Sequence, residues 1–364
     1  MKKLNKLIAA MLAGVMVVCA ASCGNSTTPS NGNTSGSGSP DTPADPGETY
    51  VLRINSNMSE ADLEQCADGV AITQMIEEVE RESGGRLKME LYLNSQLGSG
   101  TDEVLGGAEN GAFECFNLNA ANWGSYTNAF VPLTLPYMFT SQDILEAYLN
   151  GKGGEDIQTQ IANDTGMRVM FYAYMGYRTI VNNVRPITEP NDFKGVKMRV
   201  LSDNNILKAF ELWGAPTVTV SYSELYTATQ QGLIDGSDGP YTDITATNRN
   251  EVTKYISDIN YSYHIGVWGI SQTAYEDLPA DLKEIFDTAC EHAQETAADN
   301  ASYNEAALSL LKETMTYNEI TEDGIAKFKE SVQPLYEDVK KELGEDIWNQ
   351  ILENVAAAEA EVGR

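Results

Sequence analysis

Residues 191–240, NDFKGVKMRVLSDNNILKAFELWGAPTVTVSYSELYTATQQGLIDGSDGP, compress strand, helix, strand, helix and strand into one short stretch. In KMRVL, Val196, Met198 and Val200 alternate onto one face and leave Lys197 and Arg199 on the other. Ile206, Ala209, Phe210 and Trp213 then recur at helical spacing, which makes Trp213 a core residue, and Gly214 supplies a left-handed stop. TVTVSY alternates like a strand, Ser221 and Glu224 have capping-box spacing ahead of the next helix, and Gly232 ends it. LIDGSDGP reads as a short strand entering a tight turn. Strands alternating with helices imply parallel strands joined by crossovers, with ligands at the carboxyl ends of the strands. Arg199 stands near such an end. The residues alone leave two readings open: an edge-strand arginine paired with one of the chain's many acids, or a rigid fork that grips a ligand carboxylate.

At the N-terminus, Lys2, Lys3 and Lys6 precede an apolar run, Leu7 to Val18, that is short for a bilayer span. Ala20, Ala21, Ser22 and Cys23 follow, and this resembles a bacterial lipoprotein cleavage site that would leave Cys23 as the lipidated first residue. Ala20 stands where leucine is usual, so ordinary secretion stays open. Residues 1–22 are thus expected to be a signal peptide. Residues 23–47, rich in Ser, Thr, Gly, Pro and Asn, form a flexible linker with no core to bury. The expected location is extracytoplasmic, with membrane contact only through the N-terminal lipid.

Composition narrows the partners. The net charge is −29, and removal of residues 1–22 takes away three lysines and no acids, leaving about −32. Such a surface repels nucleic acid and anionic lipid. Cys66, Cys115 and Cys290 lack metal-ligand spacing and read as buried thiols, although one pair has room to form. Only His264 and His292 are present, outside any zinc motif, and neither a nucleophile elbow nor a phosphate-binding glycine loop occurs. No metal or cofactor is therefore expected. With 53 acids, a glycosidase pair of carboxylates is not excluded, but nothing singles one out.

YVLRIN, the helix-spaced run Ala61 to Ser83, and RLKMELYLN open the domain as strand, helix and strand. MRVMFYAYMGYRTIVNN is a strand with Arg178 just past it, and YSYHIGVWGIS is a strand expected to cross back. From Pro279 to Thr316 the periodicity predicts a helix of about 37 residues, roughly 55 Å long, with a break near Asn300 also permitted. Candidate binding residues gather where strands end: Asn57, Asn119, Trp123, Arg178 and Arg199, with Tyr222 at the capped helix and Asp238 and Gly239 in the last turn.

The runs DFKGVKMRV and WGAPTVTVSYSELYTATQQGLIDG, together with Ser83-Gly84-Gly85-Arg86, Gln96-Leu97-Gly98, Asn110-Gly111 and LTLPYMF, resemble the solute-binding proteins of tripartite ATP-independent periplasmic (TRAP) transporters. The resemblance covers nearly the whole chain after about residue 48. It implies an α/β, two-lobed periplasmic-binding-protein clamshell. Each lobe would hold a central sheet, the chain would cross between lobes more than once, and a long C-terminal helix would span both. Lobe I would hold residues 48–175 and 264–303, and lobe II residues 176–263 and 304–364. The implied function is capture of a small carboxylate for the membrane components of a TRAP transporter, without catalysis. Arg199 would clamp the ligand, Arg178 would face the same acid group, Tyr222 would pack on the ligand's body, and Asn57, Asn119, Trp123, Asp238 and Gly239 would complete the cleft. Many family members carry asparagine where Gly239 stands, so the ligand is expected to differ there. A sugar-binding lipoprotein of an ATP-driven importer is the alternative, ahead of an anchored glycan-degrading enzyme.

Overall fold

Alternating apolar residues set the strands that open the domain. In β1 (Tyr50–Asn55) Leu52 and Ile54 are buried, and in β2 (Leu87–Tyr92) Leu87 and Met89 are buried, while the glycine pair Gly84-Gly85, both at positive φ, turns the intervening helix into β2. The computed structural model describes Gly47 to Gly363, so the signal segment, nearly all of the linker and Cys23 lie outside the described residues. The described residues belong to the unit Pro46–Arg364.

Nine further strands follow in chain order: β3 (Cys115–Asn119), β4 (Met167–Tyr177), β5 (Thr179–Asn182), β6 (Met198–Arg199), β7 (Thr217–Val218), β8 (Gly236–Gly239), β9 (Tyr255–Ser257), β10 (Tyr263–Ser271) and β11 (Thr316–Asn318). They form two sheets, ordered β2-β1-β3-β10-β4 and β11-β9-β5-β8-β6-β7. β1 runs parallel to β2 and β3, whereas β10 is antiparallel to β3 and β4. In the second sheet β6 is parallel to β7 and β8, and β5 is antiparallel to β8 and β9. The chain changes sheets between β4 and β5, between β9 and β10, and between β10 and β11. At the first change a single residue, Arg178, separates strands of different sheets. The two-sheet α/β clamshell architecture with repeated crossings is as expected.

β4 is apolar on both faces because both are covered: Phe171 and Ala173 pack under the helices Ala67–Glu82 and Ala280–Ala298, while Tyr172 and Tyr174 join the larger core on the other side. That larger core centres on aromatic rings. Trp213 stacks on Phe193 at 5.3 Å and meets Phe210, Tyr261 and Phe328 at 5.0, 5.4 and 5.3 Å, and its indole N–H donates to Ser331 Oγ at 2.9 Å. The expected core role of Trp213 and its stop at Gly214 (φ +81) both hold.

Three local expectations differ. The run from Pro279 is two helices, Ala280–Ala298 and Ala301–Thr314, the break being where the sequence permits one. Asn300 makes the break, since its side-chain amide donates to the carbonyl of Tyr174 on β4 rather than leaving the helix uninterrupted. Ser221 and Glu224 form no capping box: the Ser221 hydroxyl donates to the Glu224 carboxylate at 2.5 Å, and a short 3-10 turn, Tyr222–Glu224, precedes the helix Leu225–Gln230. TVTVSY pairs only over Thr217–Val218. Cys66, Cys115 and Cys290 are free buried thiols, as expected. The C-terminal helix Glu345–Glu361 packs against Gln142–Asn150, and Asn354 Nδ2 donates to Asp156 at 3.0 Å.

Trp213→Ala should lower unfolding free energy by about 3–5 kcal/mol, because it removes the ring on which four others pack and the indole donor to Ser331. Urea unfolding checks this, and a loss below about 1 kcal/mol would show that the aromatic core can collapse around the gap.

Candidate functional site

The second sheet brings the site together through β8. Pairing places Gly236 beside Met198, Ser237 beside Arg199, Asp238 beside Ile180 and Gly239 beside Thr179. β8 approaches β5 closely: a Cβ on Gly236 would lie 2.2 Å from the Val181 carbonyl oxygen, so only glycine fits. Asp238 is thereby set between the two arginines that close β4 and β6.

Arg178 is fully enclosed. Its Nε donates to Asp238 Oδ2 at 2.6 Å and to the Tyr261 hydroxyl at 3.1 Å, and Tyr261 donates in turn to the same carboxylate oxygen. Burial works against the charge on both groups, but their mutual attraction prevails: the Arg178 guanidinium is held protonated and the Asp238 carboxyl is held below the usual range. Arg178 Nη1 lies 2.7 Å from His264 Nδ1. A guanidinium can only donate, so Nδ1 accepts and the ring proton sits on Nε2. Desolvation and the Arg178 charge push His264 down to about 3, which keeps the ring neutral.

A second ion pair lies beside the first. Arg249, with no solvent exposure, donates through Nη2 to Asp243 Oδ2 at 2.6 Å, through Nη1 to Ser237 Oγ at 2.8 Å and to the Asp238 carbonyl at 2.9 Å, and through Nε to Thr247 Oγ1 at 2.7 Å. The Tyr222 hydroxyl donates to the other oxygen of Asp243 at 2.5 Å. Burial opposes ionisation of Asp243, yet the Arg249 charge holds its carboxyl below the usual range. Gly239 makes room for this pair: a Cβ there would meet Asp243 Oδ2 at 2.7 Å and Arg249 Nη2 at 2.9 Å.

Arg199 is different. It is 7% exposed, and its Nε donates to the Val220 carbonyl at 3.0 Å. Among the described residues no carboxylate lies within ion-pair distance of it. Burial lowers its pKa, and the nearby charges divide evenly, Asp238 and Asp243 favouring its charge and Arg249 and Arg178 opposing it. A buried cation without a counter-ion is costly to the fold and is the group here with most to gain from an added anion.

Residues from the first strands' side of the chain lie beside this cluster. The turn Asp62–Gln65 lies against the helix Tyr241–Ala246, and Gly124, just beyond β3, lies against Asp203. Asp203 caps the helix Asn204–Leu212 by accepting from the Ile206 amide at 2.9 Å, and burial pushes its carboxyl up to about 6.

The structure brings together Arg178, Arg199, Tyr222, Asp238 and Gly239. Asn119 stands at the end of β3, where it accepts from the Ala121 amide and donates to the Ile265 carbonyl, both at 3.0 Å, so it fastens β3 to β10. Asn57 is exposed and pairs with Asn117. Trp123, expected at the cleft, is instead 1% exposed in the core, 5.8 Å from Phe116 and 5.3 Å from Phe130, because the short turn after β3 points its ring inward. Arg249, Asp243, Tyr261, His264 and Asp203 were not singled out from sequence. Of these, Asp203 carried a signal, as an aspartate directly before a helix-spaced run; Arg249 and Asp243 meet only through the turn that separates them. A groove of about 520 Å³ lies elsewhere, between the helices Lys152–Thr165 and Glu345–Glu361. Its charged lining is Asp156, Glu342 and Asp346, so it offers no cation to an acid.

Residues 60–342 match the family model described as bacterial extracellular solute-binding protein, family 7. The chain belongs to this family. The C4-dicarboxylate-binding periplasmic protein DctP of Rhodobacter capsulatus is 27% identical over 284 residues, covering 76% of this chain and 83% of that protein. In fold, the sugar acid binding protein from Advenella mimigardefordensis, solved with galactonate, superposes with a TM-score of 0.79 at 24% identity over 85% of this chain and 99% of that one. A TRAP periplasmic solute binding protein from Sulfurospirillum deleyianum, solved with succinate, gives 0.77 at 22% identity over 84% and 99%. The resemblance read from residues 191–240 and from the shorter motifs is thus confirmed at the level of family and fold.

Asp203 also sets a pH dependence. Its carboxyl titrates at about 6 when folded against 3.8 unfolded, so the folded state binds the proton more tightly. Its contribution to stability is full below about 4 and is lost as pH rises through about 6. Asp203→Asn keeps a capping oxygen and should remove on the order of 2 kcal/mol of that pH-dependent change, read from urea unfolding between pH 4 and pH 7. Asp68, likewise pushed up to about 6 by burial, should retain its own share of the slope. An unaltered slope in the variant would refute the assignment to Asp203.

Proposed function

We propose that this protein is an extracytoplasmic receptor that captures a small organic acid between two lobes and delivers it to a TRAP-type secondary transporter. The observation that carries the reading is the buried Arg199 guanidinium, which among the described residues has one carbonyl partner and no counter-ion, beside two arginines that are each already paired with a carboxylate. A carboxylate entering there gains a charge-assisted, desolvated contact, which is worth far more than an exposed pair. In this reading Arg199 is the clamp, Arg178 and Asp238 fix the wall beside it, Tyr222 packs on the ligand's body, and Gly239 with the Asp243–Arg249 pair limits the space. The names of the relatives support an acid ligand, since one is called C4-dicarboxylate-binding and one was solved with galactonate. No chemistry is asked of the site. Its one histidine is held neutral by burial and by Arg178, and its Asp238 and Asp243 carboxylates are bound to arginine.

The proposed lobes are residues 48–175 with 264–303 and residues 176–263 with 304–364. The order of strands in the two sheets supports this division, with Arg178 near the first junction, although β4 and β10 reach past the bounds at Gly176, Tyr177 and Tyr263 and the helix Glu345–Glu361 packs across to Gln142–Asn150. Attachment to the membrane through a lipid on Cys23 belongs to the same proposal. It is supported by the basic segment, the apolar run and the small residues before that cysteine.

Arg199→Ala should leave the unliganded protein folded and no less stable, because it removes a buried charge that lacks a partner. It should abolish the rise in melting temperature that a bound carboxylate gives, a stabilisation of about 2.7 kcal/mol at a ligand concentration 100 times Kd. A thermal-shift series over galactonate, glucuronate and succinate tests this. Undiminished stabilisation of the variant would remove Arg199 from the site.

A further inference from the structure

We infer that the site selects acids carrying a single negative charge, and that the Asp243–Arg249 pair under Gly239 is what excludes a second carboxylate. The inference rests on the receptor reading above and adds the ligand's valence. Three arginines meet at β8, and among the described residues of this cluster only Arg199 lacks a carboxylate partner. Arg178 is neutralised by Asp238, with its Nε and Nη1 already taken by Asp238, Tyr261 and His264. Arg249 is neutralised by Asp243, and all three of its nitrogens donate to protein oxygens. Arg199 remains, donating only to a carbonyl. Asp203 is committed to the first turn of its helix and adds no cation.

A ligand with one carboxylate therefore gives Arg199 the counter-ion that Asp238 and Asp243 already give Arg178 and Arg249. A second carboxylate on the same ligand would be desolvated among Asp238, Asp243 and the neutral His264, with no unpaired cation among the described residues of the cluster to receive it. Hydroxyl groups face no such penalty. His264 Nε2–H is a neutral donor, so the remainder of the ligand is uncharged and able to accept hydrogen bonds.

Gly239 is the device that makes this arrangement possible. Any side chain there would run into Asp243 Oδ2 and Arg249 Nη2, so the glycine and the ion pair come together or not at all. Asp243 thus acts as a specificity-determining residue: it holds Arg249 away from the ligand by satisfying it.

The test is calorimetric titration of the full chain with matched pairs of acids that differ in one charge: succinamate against succinate, glucuronate against glucarate, and galactonate against galactarate. The singly charged member of whichever pair binds should be tighter by on the order of 100-fold, the expected consequence of leaving one buried carboxylate unpaired. Equal or tighter binding of the doubly charged member overturns the inference while leaving the receptor reading intact. Absence of binding by every acid overturns both, and separates a wrong valence from a wrong ligand class. Asp243→Asn keeps an acceptor oxygen for Arg249 and an amide that can donate to the Tyr222 hydroxyl, but frees the Arg249 charge, and should shift the paired ratio toward the doubly charged acid by about 10-fold or more. A ratio unmoved in folded Asp243→Asn removes Asp243 as the determinant. Should that variant fail to fold, the wild-type ratios alone decide the valence.

Discussion

The Asp238 carboxylate, gripped by Arg178 and by the Tyr261 hydroxyl, is the contact on which the arrangement depends. Arg178 is the one residue between β4 and β5, and Tyr261 lies on the return segment just before β10, so two of the three crossings between sheets converge on one side chain of β8. The backbone agrees with the side chains here: the Arg178 amide donates to the Ser262 carbonyl at 2.8 Å. Such a pair is fully enclosed, and its desolvation cost offsets much of its Coulomb gain. Its value lies in direction. It fixes how the chain leaves one sheet and enters the other, and it sets the wall against which Arg199 stands.

From that constraint the rest of the site follows in order. β8 must approach β5 within the space only Gly236 allows, so that Asp238 can reach Arg178. Ser237, pointing the other way, then meets Arg249, and Arg249 requires Asp243 to neutralise it. Each of these two arginines has its own carboxylate, which leaves β6 to contribute the arginine without one among the described residues. Local polarity of this kind is compatible with a strongly acidic chain. Charges beyond about 8 Å are screened at physiological salt, so an anion inside the molecule feels the arginines near it rather than the net charge of the surface.

Much of this was legible in the sequence, and the reason is periodicity. The alternation in KMRVL put Arg199 opposite Val196, Met198 and Val200, and the stripe Ile206, Ala209, Phe210, Trp213 gave the core helix with its stop. Arg178 was found at a strand end, though not as half of an ion pair. What remained hidden depends on contacts distant in sequence. Nothing local to Arg249 marks it as Asp243's partner, and Trp123 looked like a cleft residue because strand ends carry sites, while the turn after β3 sends its ring toward Phe130. Ser221 and Glu224 had capping-box spacing, but the hydroxyl reached the carboxylate directly, and the helix starts after a tighter turn.

The break between Ala298 and Ala301 shows the same competition between a local pattern and a distant contact, and it bears on how the lobes are joined. The sequence there supports one uninterrupted helix, yet Asn300 gives its side-chain amide to β4 at Tyr174, four residues ahead of Arg178. Asn304, one turn later, donates to the Asn300 carbonyl at 3.3 Å and sits over Gly176, where a Cβ would lie 3.0 Å from its Oδ1. The positive φ of Gly176, +109°, therefore lies between the helix break and the buried ion pair. Both strands of the connection between sheets thus bend at residues chosen for it, an asparagine in the helix and a glycine in the strand. A continuous helix beside a regular strand would resist bending at that point, whereas a helix break beside the irregular pairing of β4 with β10 near Gly176 concentrates the change of direction there, next to Arg178.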